Sequence, residues 1–399
     1  MSRSALLLCL ACWTGAAQAA DAPAVVRSDA QLKAVLASGQ RTPLDALTPY
    51  GKRKVLASIA WGDQGMQYLN PWPLIRELDA QQLGAVLAFL GNDSMRAYWS
   101  SQVAGAPMRF PEPSPELEQR LAAFERVIAD GAAQRAAAPE GAPFTRAPGL
   151  AARYARQFGD RMAPARLKRL PLGDLQPLLD AALRMEFEQP GAALTELLHL
   201  HQELGARGLD TRRTVDDKVF ESLLILRRFE QARAFAAHRP ALRGQAIPVV
   251  ADPLGAAYSG RSLYRYDAAR NTLTREAAPA PAGVQLVMVV NGGCHFSANA
   301  LAALRSDAEL LARLREANLL LLTPPGNSIP LEFIKQWNAA NPSLPVRAPV
   351  SLGEWEAIDA PDIPGFFVLK DGKAVGRATG WPEVGNKAAV LALLDAARK

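Results

Sequence analysis

Cysteine is scarce in this chain of 399 residues. It occurs at Cys9, Cys12 and Cys294. The first two fall inside an apolar run that follows a short basic start, and an Ala-Gln-Ala pattern suited to cleavage comes next. We therefore predict a secretory signal peptide over residues 1–19. The exported chain would keep a single thiol and would form no internal disulfide.

A second interpretation of the start is a lipoprotein signal in which Cys12 carries the lipid, although the residues before Cys12 suit that signal poorly. Long apolar runs are also lacking, and we predict no transmembrane segment in the mature chain. The composition is rich in Ala and Arg and poor in Lys, as in GC-rich bacteria. Together with an export signal, this composition predicts location in the periplasm.

Negative charge is slightly less frequent than positive charge, and the formal net charge is +6. The basic residues are not gathered into a stripe with interleaved aromatic residues, so we expect no nucleic-acid partner. Gly-x-Ser-x-Gly and His-Glu-x-x-His motifs are absent, which removes support for a hydrolase. No cluster of metal ligands is visible, and we predict neither a metal nor another cofactor.

Three stretches rich in Pro, Gly and Ala divide the chain, at residues 107–115, 136–148 and 277–283. The apolar spacing on either side of the first break is helical, and we predict an all-α N-terminal region, either a helical bundle or short helical repeats. Within it, residues 61–63 and 70–73 are predicted loops. The predicted domains are an N-terminal helical region at 20–110, a second helical region at 115–245 and an α/β domain at 260–399.

His199 and His201 lie in the second helical region, two residues apart. That spacing puts them on different faces of a helix, whereas a helical metal-binding pair needs a spacing of three or four residues. We interpret both as solvated or capping side chains.

After Pro248 the pattern changes to period two. A hairpin is predicted at 262–266 and 272–275. The segments after it are predicted as a strand at 286–290, one helix from Cys294 to Leu314, a strand at 319–322, a helix at 331–337, a strand at 366–369, a turn at Asp371-Gly372 into 374–378, and a helix at 387–397. Their order is β-α-β-α-β-β-α.

Cys294 stands where the buried strand turns into a helix, in the run Asn-Gly-Gly-Cys-His-Phe-Ser at residues 291–297. A helix N-terminus offers unpaired N–H donors and a partial positive charge, and both favour a thiolate. The thiolate is the nucleophilic form of cysteine. No other stretch of the sequence points as clearly to chemistry.

The element order and residues 362–375 (Asp-Ile-Pro-Gly-Phe-Phe-Val-Leu-Lys-Asp-Gly-Lys-Ala-Val) resemble the thioredoxin family, from its cis-proline onwards. Gly380 matches a family glycine in the next strand. The resemblance covers about 260–399 and implies a thioredoxin-like fold in which Pro364 is cis and lies near Cys294. It also implies that Ile363 and Pro364 contact the substrate.

Four departures from the family pattern bear on activity. Ser297 stands where the family has its second cysteine, Gly293 replaces a tryptophan, and a buried acid would fall at Met288. The stretch between Cys294 and Pro364 is also longer, as an insertion would make it. One thiolate can attack a disulfide and form a mixed disulfide, but it cannot resolve that intermediate by itself.

These observations predict monothiol thiol–disulfide exchange, or covalent capture of a client protein, through Cys294. A protonated His295 would stabilise the thiolate, and Ser297 would hydrogen-bond it. In a second register, Asn291 replaces the first cysteine and Cys294 is the second. Two non-redox interpretations stay open: a buried, inert cysteine, and a non-catalytic adaptor whose helical region binds a protein partner.

Overall fold

The computed structural model describes residues 25–137, 149–359 and 362–398. The predicted signal peptide lies outside the described residues, as does most of the second Pro/Gly/Ala-rich break. Of the described residues, those from 25 to 103 form one compact unit, and those from 104 onwards form another. The second helical region and the α/β region belong to the same unit, and their division into separate domains stays a prediction. No helix of the described residues is long and apolar enough to cross a membrane.

The first unit is mainly helical. Its helices are α1 Asp29–Ala37, α2 Pro49–Ser58, α3 Trp72–Glu77, α4 Ala80–Phe89 and α5 Arg96–Ser100. The all-α prediction for this region is wrong in one place, because β1 Ala60–Gly62 and β2 Gly65–Tyr68 form an antiparallel hairpin. Asp63 and Gln64 form the turn, and Gly65 begins β2 at φ +116°, a conformation that favours glycine. The loop predicted at 70–73 instead leads into α3, whose first turn accepts Pro73.

Helices of the second unit surround a core of leucine, alanine and aromatic side chains. These helices are α6 Pro115–Ala136, α7 Leu150–Phe158, α8 Pro164–Leu167, α9 Leu175–Glu188, α10 Leu194–Ala206, α11 Val215–Ile225 and α12 Phe229–Ala237. Pro115 starts α6 at a position where a missing N–H costs nothing, so the first predicted break ends there.

A mixed eight-stranded sheet follows in the described residues, in the order β10-β9-β6-β7-β8-β4-β5-β3. Its strands are β3 Val249–Ala251, β4 Ser262–Asp267, β5 Thr272–Ala277, β6 Val284–Val289, β7 Leu320–Leu322, β8 Val346–Pro349, β9 Gly365–Lys370 and β10 Lys373–Thr379. Strands β6, β7 and β8 run parallel, whereas β9 pairs antiparallel with β6 and β10 antiparallel with β9. The helices of this part are α13 His295–Ser306, α14 Ala308–Arg315, α15 Leu331–Ala340 and α16 Lys387–Arg398.

The predicted order β-α-β-α-β-β-α is confirmed from β6 to α16, with additions. Strand β8 and a 3-10 segment, Gly353–Ile358, stand between α15 and β9, where the sequence indicated only an insertion. The hairpin β4–β5 is confirmed and pairs with β8, so it extends the same sheet. The turn at Asp371-Gly372 is also confirmed, and both residues have positive φ, as a tight hairpin turn needs.

The single helix predicted after Cys294 is two helices. Asp307 ends α13 in an extended conformation, and its carboxylate accepts a hydrogen bond from the Leu310 N–H as the N-cap of α14. That hydrogen bond and the ammonium of Lys387 hold the pKa of Asp307 below its usual value. An aspartate that caps the second helix therefore breaks a pattern whose leucine spacing looks continuous.

Both faces of the central strand β6 are covered, which explains its unbroken apolar run. Leu286, Met288 and Val290 pack with side chains from α13 to α16 on one face. On the other face, Val287 and Val289 pack against Trp355 and Ile358 of the 3-10 segment. The indole N–H of Trp355 donates to the Ser262 carbonyl at 2.9 Å, which ties the inserted segment to β4.

Candidate functional site

Cys294 lies at the carboxyl end of β6, as the N-cap residue of α13, and its thiol is free and half-buried. The turn before it is held by Asn291: the Cys294 N–H donates to the Asn291 carbonyl at 3.1 Å, and the Gly293 N–H donates to Asn291 Oδ1 at 3.1 Å. A short, internally bonded turn thus delivers the sulfur to the first turn of a helix.

Gly292 is needed in this turn because of packing. A Cβ at that position would lie 2.6 Å from Cγ of Phe333 on α15, a distance that real contacts do not show. At Gly293 a Cβ would meet only Asn291 Oδ1, at 3.9 Å. Of the two glycines, Gly292 is therefore the one that lets the turn approach α15.

The proline that the resemblance singles out is cis. The Ile363–Pro364 peptide bond has this geometry, and the Cys294 Sγ lies 3.4 Å from the Ile363 carbonyl oxygen, to which the thiol donates. Pro364 is buried, Ile363 is half-buried, and the Gly380 N–H donates to the Pro364 carbonyl at 2.8 Å. The prediction that Pro364 is cis and lies near Cys294 is confirmed, while a substrate-binding role for Ile363 and Pro364 stays a prediction.

Ser297 occupies the first turn of α13 and is completely buried. Its hydroxyl accepts a hydrogen bond from the Asn291 N–H at 3.2 Å. Ser297 therefore holds the end of β6 to the start of α13. The hydrogen bond to the thiol that we expected of Ser297 is not among those formed in the described residues.

His295 is the first residue of α13 and is exposed. Its ring lies against that of Phe296, with 3.9 Å between the ring centroids, and Phe296 is itself 38% exposed. The two rings form an exposed aromatic surface on the two residues that follow Cys294, a contact that no sequence pattern indicated. Met288, at the position of the family's buried acid, is completely buried in the apolar core.

The geometry favours the first of the two registers. Cys294 is the half-exposed residue against Ile363, and Ser297 is the buried residue one turn later. In the second register Cys294 would have taken the later, buried position. Within the described residues no group of three or more potential metal ligands comes together.

Both histidines of the second helical region contact other residues: His199 reaches the C-cap residue of the 3-10 turn Gly159–Arg161, in line with a capping role, whereas His201 is neither solvated nor a cap, contrary to our interpretation. His199 Nδ1 lies 3.1 Å from the Met162 carbonyl. His201 Nε2 lies 2.7 Å from Asp216 Oδ1, and the guanidinium of Arg239 contacts both the imidazole and the carboxylate, each at 3.2 Å. These contacts link α10 to α11 and to the segment after α12.

No family model and no curated protein matches this chain. Among solved structures, it is similar to the C-terminal domain of an uncharacterized protein from Bacteroides fragilis NCTC 9343, with 16% identity over 34% of this chain and 92% of that one, at a TM-score of 0.22. It is also similar to a thioredoxin-like protein from Bacteroides caccae ATCC 43185, with 16% identity over 60% of this chain and 82% of that one, at a TM-score of 0.23. These scores are too low for either structure to bear on the chemistry of this chain.

Proposed function

We propose that this chain is an exported, periplasmic thioredoxin-like protein in which Cys294 exchanges disulfides with, or covalently captures, a client protein. One observation carries the proposal: the thiol stands at a helix N-terminus, half-exposed, and its sulfur contacts the Ile363 carbonyl. A reactive thiol needs access and a local environment that stabilises the thiolate.

The proposed exchange has two steps. The Cys294 thiolate attacks one sulfur of a client disulfide, a bond forms between these two sulfurs, and the second client sulfur leaves as a thiolate that takes a proton from water. Resolution then needs an outside thiol, either a small-molecule thiol or a partner protein, because Ser297 offers no second sulfur. Each step breaks one S–S bond and forms another, so the number of disulfide bonds does not change and no outside oxidant is needed.

The test is adduct formation. The protein is expressed in a bacterial periplasm, free thiols are blocked with an alkylating agent, and adducts are separated without reductant. We expect adducts that reductant dissolves and that Cys294→Ser abolishes. The variant Ser297→Cys supplies a resolving thiol and should reduce the yield of adducts. If the wild-type chain gives no adduct and does not react with a model disulfide, the redox proposal is wrong.

A second candidate is a non-catalytic adaptor whose helical region binds a protein partner. The packing of Ser297 and Met288 favours it, since the first is used to hold the turn and the second fills the core. An adaptor would keep full partner binding and biological activity in Cys294→Ser. A thiol–disulfide exchanger would lose that activity.

A further inference from the structure

A groove of about 240 Å³ begins at the turn that carries Cys294 and runs between α13 and α15. We call it the α13–α15 groove, and it is formed by Gly292, Ala298, Ala302, Arg305, Phe333 and Trp337. Neither Ile363 nor Pro364 is among the residues that line it. Nothing in the exchange chemistry proposed for Cys294 uses it.

Side-chain size along the two helices explains the groove. Ala298, Ala302 and Arg305 are spaced at four and three residues, so they lie on one face of α13, and all three are exposed. The two alanines leave room that longer side chains would fill. Phe333 and Trp337 are one turn apart on α15 and give the groove an aromatic wall.

The far end of the groove carries a positive charge. The guanidinium carbon of Arg305 lies 6.0 Å from the ring centroid of Trp337, and Arg305 forms no ion pair with another residue in the described part of the chain. An exposed guanidinium that is oriented by an aromatic ring and has no acidic partner suits a carboxylate. The groove is therefore mainly apolar at the glycine turn and cationic at its far end.

We propose that the α13–α15 groove selects the client segment beside the reactive cysteine. Arg305 lies three helical turns beyond Cys294, about 16 Å along α13, and an extended chain spans this with about five residues. The preferred client has an aromatic or large aliphatic side chain midway, against Phe333 and Trp337, and an acidic residue about five positions from its cysteine. This inference rests on the proposed exchange at Cys294.

The test uses short peptides whose cysteine forms a disulfide with a chromophoric thiol, which is released on exchange. Each peptide is made in two versions, one with the cysteine at the N-terminal end and one with it at the C-terminal end. They differ at the distal position, Asp or Lys, and at the middle position, Phe or Ala. Each exchange rate is divided by the rate with a small neutral disulfide. In one of these two versions, we expect the Asp peptide to react about fivefold faster than the Lys peptide. A difference of this size corresponds to the free energy of an exposed ion pair.

Arg305→Glu should reverse that order, whereas Arg315→Glu should keep it. Arg315 is an exposed arginine at the end of α14 that lies outside the groove, and it is the matched control for net charge. Ala302→Trp should fill the groove and remove the preference for Phe over Ala. Equal rates for all peptides in both versions, or an unchanged order in Arg305→Glu, would overturn the proposal.

Binding without exchange separates this inference from the function on which it rests. The same peptides with Ser in place of Cys, labelled with a fluorophore, are titrated with the full chain and followed by anisotropy. If Cys294 does not react with the small disulfide but the Asp peptide still binds more tightly than the Lys peptide, the exchange proposal fails and the groove stands. Exchange with no peptide preference in either assay refutes the groove alone.

Discussion

The second unit contains two groups of residues whose side chains are of chemically reactive types: the cluster of His201, Asp216 and Arg239, and the turn that carries Cys294. They differ in how many polar contacts their side chains make. His201, Asp216 and Arg239 have the more catalytic composition, yet each is bound to the other two within 3.2 Å. The Arg239 guanidinium also stacks on the Phe235 ring, 3.4 Å from its centroid. Asp216 is only 5% exposed. A cluster whose polar groups are bound to one another around a buried carboxylate holds helices together.

The turn that carries Cys294 has the opposite character. Its sulfur makes one hydrogen bond, to the Ile363 carbonyl, and its neighbours His295 and Phe296 are exposed. The polar contacts of the turn are used to position the backbone. His201, Asp216 and Arg239 are residue types common in catalytic sites, but they are already bound to one another, whereas Cys294 keeps the access that the proposed exchange needs.

The largest effect should follow from breaking the cluster of His201, Asp216 and Arg239. Asp216→Ala leaves Arg239 without its carboxylate, and we expect a loss of about 3 kcal/mol in the free energy of unfolding. Asp217→Ala, at the exposed neighbouring position, should change it by less than about 0.5 kcal/mol. Urea unfolding measures both. Equal losses would show that the cluster is not what stabilises this part of the chain.

The next effect compares the two glycines of the Cys294 turn. Gly292→Ala forces a Cβ into Phe333 and should cost about 1–3 kcal/mol of unfolding free energy. Gly293→Ala meets open space and should cost nothing or stabilise slightly. Unfolding curves of the two variants test this. A larger loss for Gly293→Ala than for Gly292→Ala would contradict the close approach of Gly292 to Phe333.

A smaller effect is expected at the thiol itself. Cys294→Ala should change the free energy of unfolding by less than about 1 kcal/mol, because the side chain is only half-buried. In the native wild-type chain, a water-soluble maleimide should label Cys294, located by peptide mapping. Labelling that needs denaturant, together with a loss above about 2 kcal/mol in the variant, would identify a buried structural cysteine.

Local patterns predicted much of the α/β part. The apolar run of β6, the Asp371-Gly372 turn and the segment around Pro364 each carry their own signal, and the structure confirms all three. Strand β8 lacks such a signal, because it exists through pairing with β7 on one side and β4 on the other, as in the pairing of Leu263 with Pro349. Pairing between segments so far apart in sequence cannot be read from a local pattern.

The candidate site could be predicted only in part, because several of its contacts also depend on how separate segments pack together. The position of Cys294 follows from a strand followed by a helix, but the partner of Ser297 depends on how the turn closes. His201 was misjudged because its partner, Asp216, belongs to another helix. The exposed rings of His295 and Phe296, and the approach of Phe333 to Gly292, are packing facts with no periodic signature.

The smallest effect concerns how the contribution of the buried Asp216 carboxylate to stability depends on pH. Burial raises the pKa of Asp216, but the hydrogen bonds from His201 and Thr211 and the charges of His201 and Arg239 outweigh it, so the pKa lies below its usual value. The stability that this carboxylate adds is complete above its unfolded pKa of about 3.9 and is lost as the pH falls through the lower, folded value. Protonation removes only the part of the interaction energy between Asp216 and its partners that depends on the charge of the carboxylate. The free energy of unfolding of the wild type should therefore fall more steeply below pH 4 than that of Asp216→Asn, since the other carboxylates are common to both. Parallel curves would show that Asp216 is not ionised in the folded chain or gains nothing from its partners.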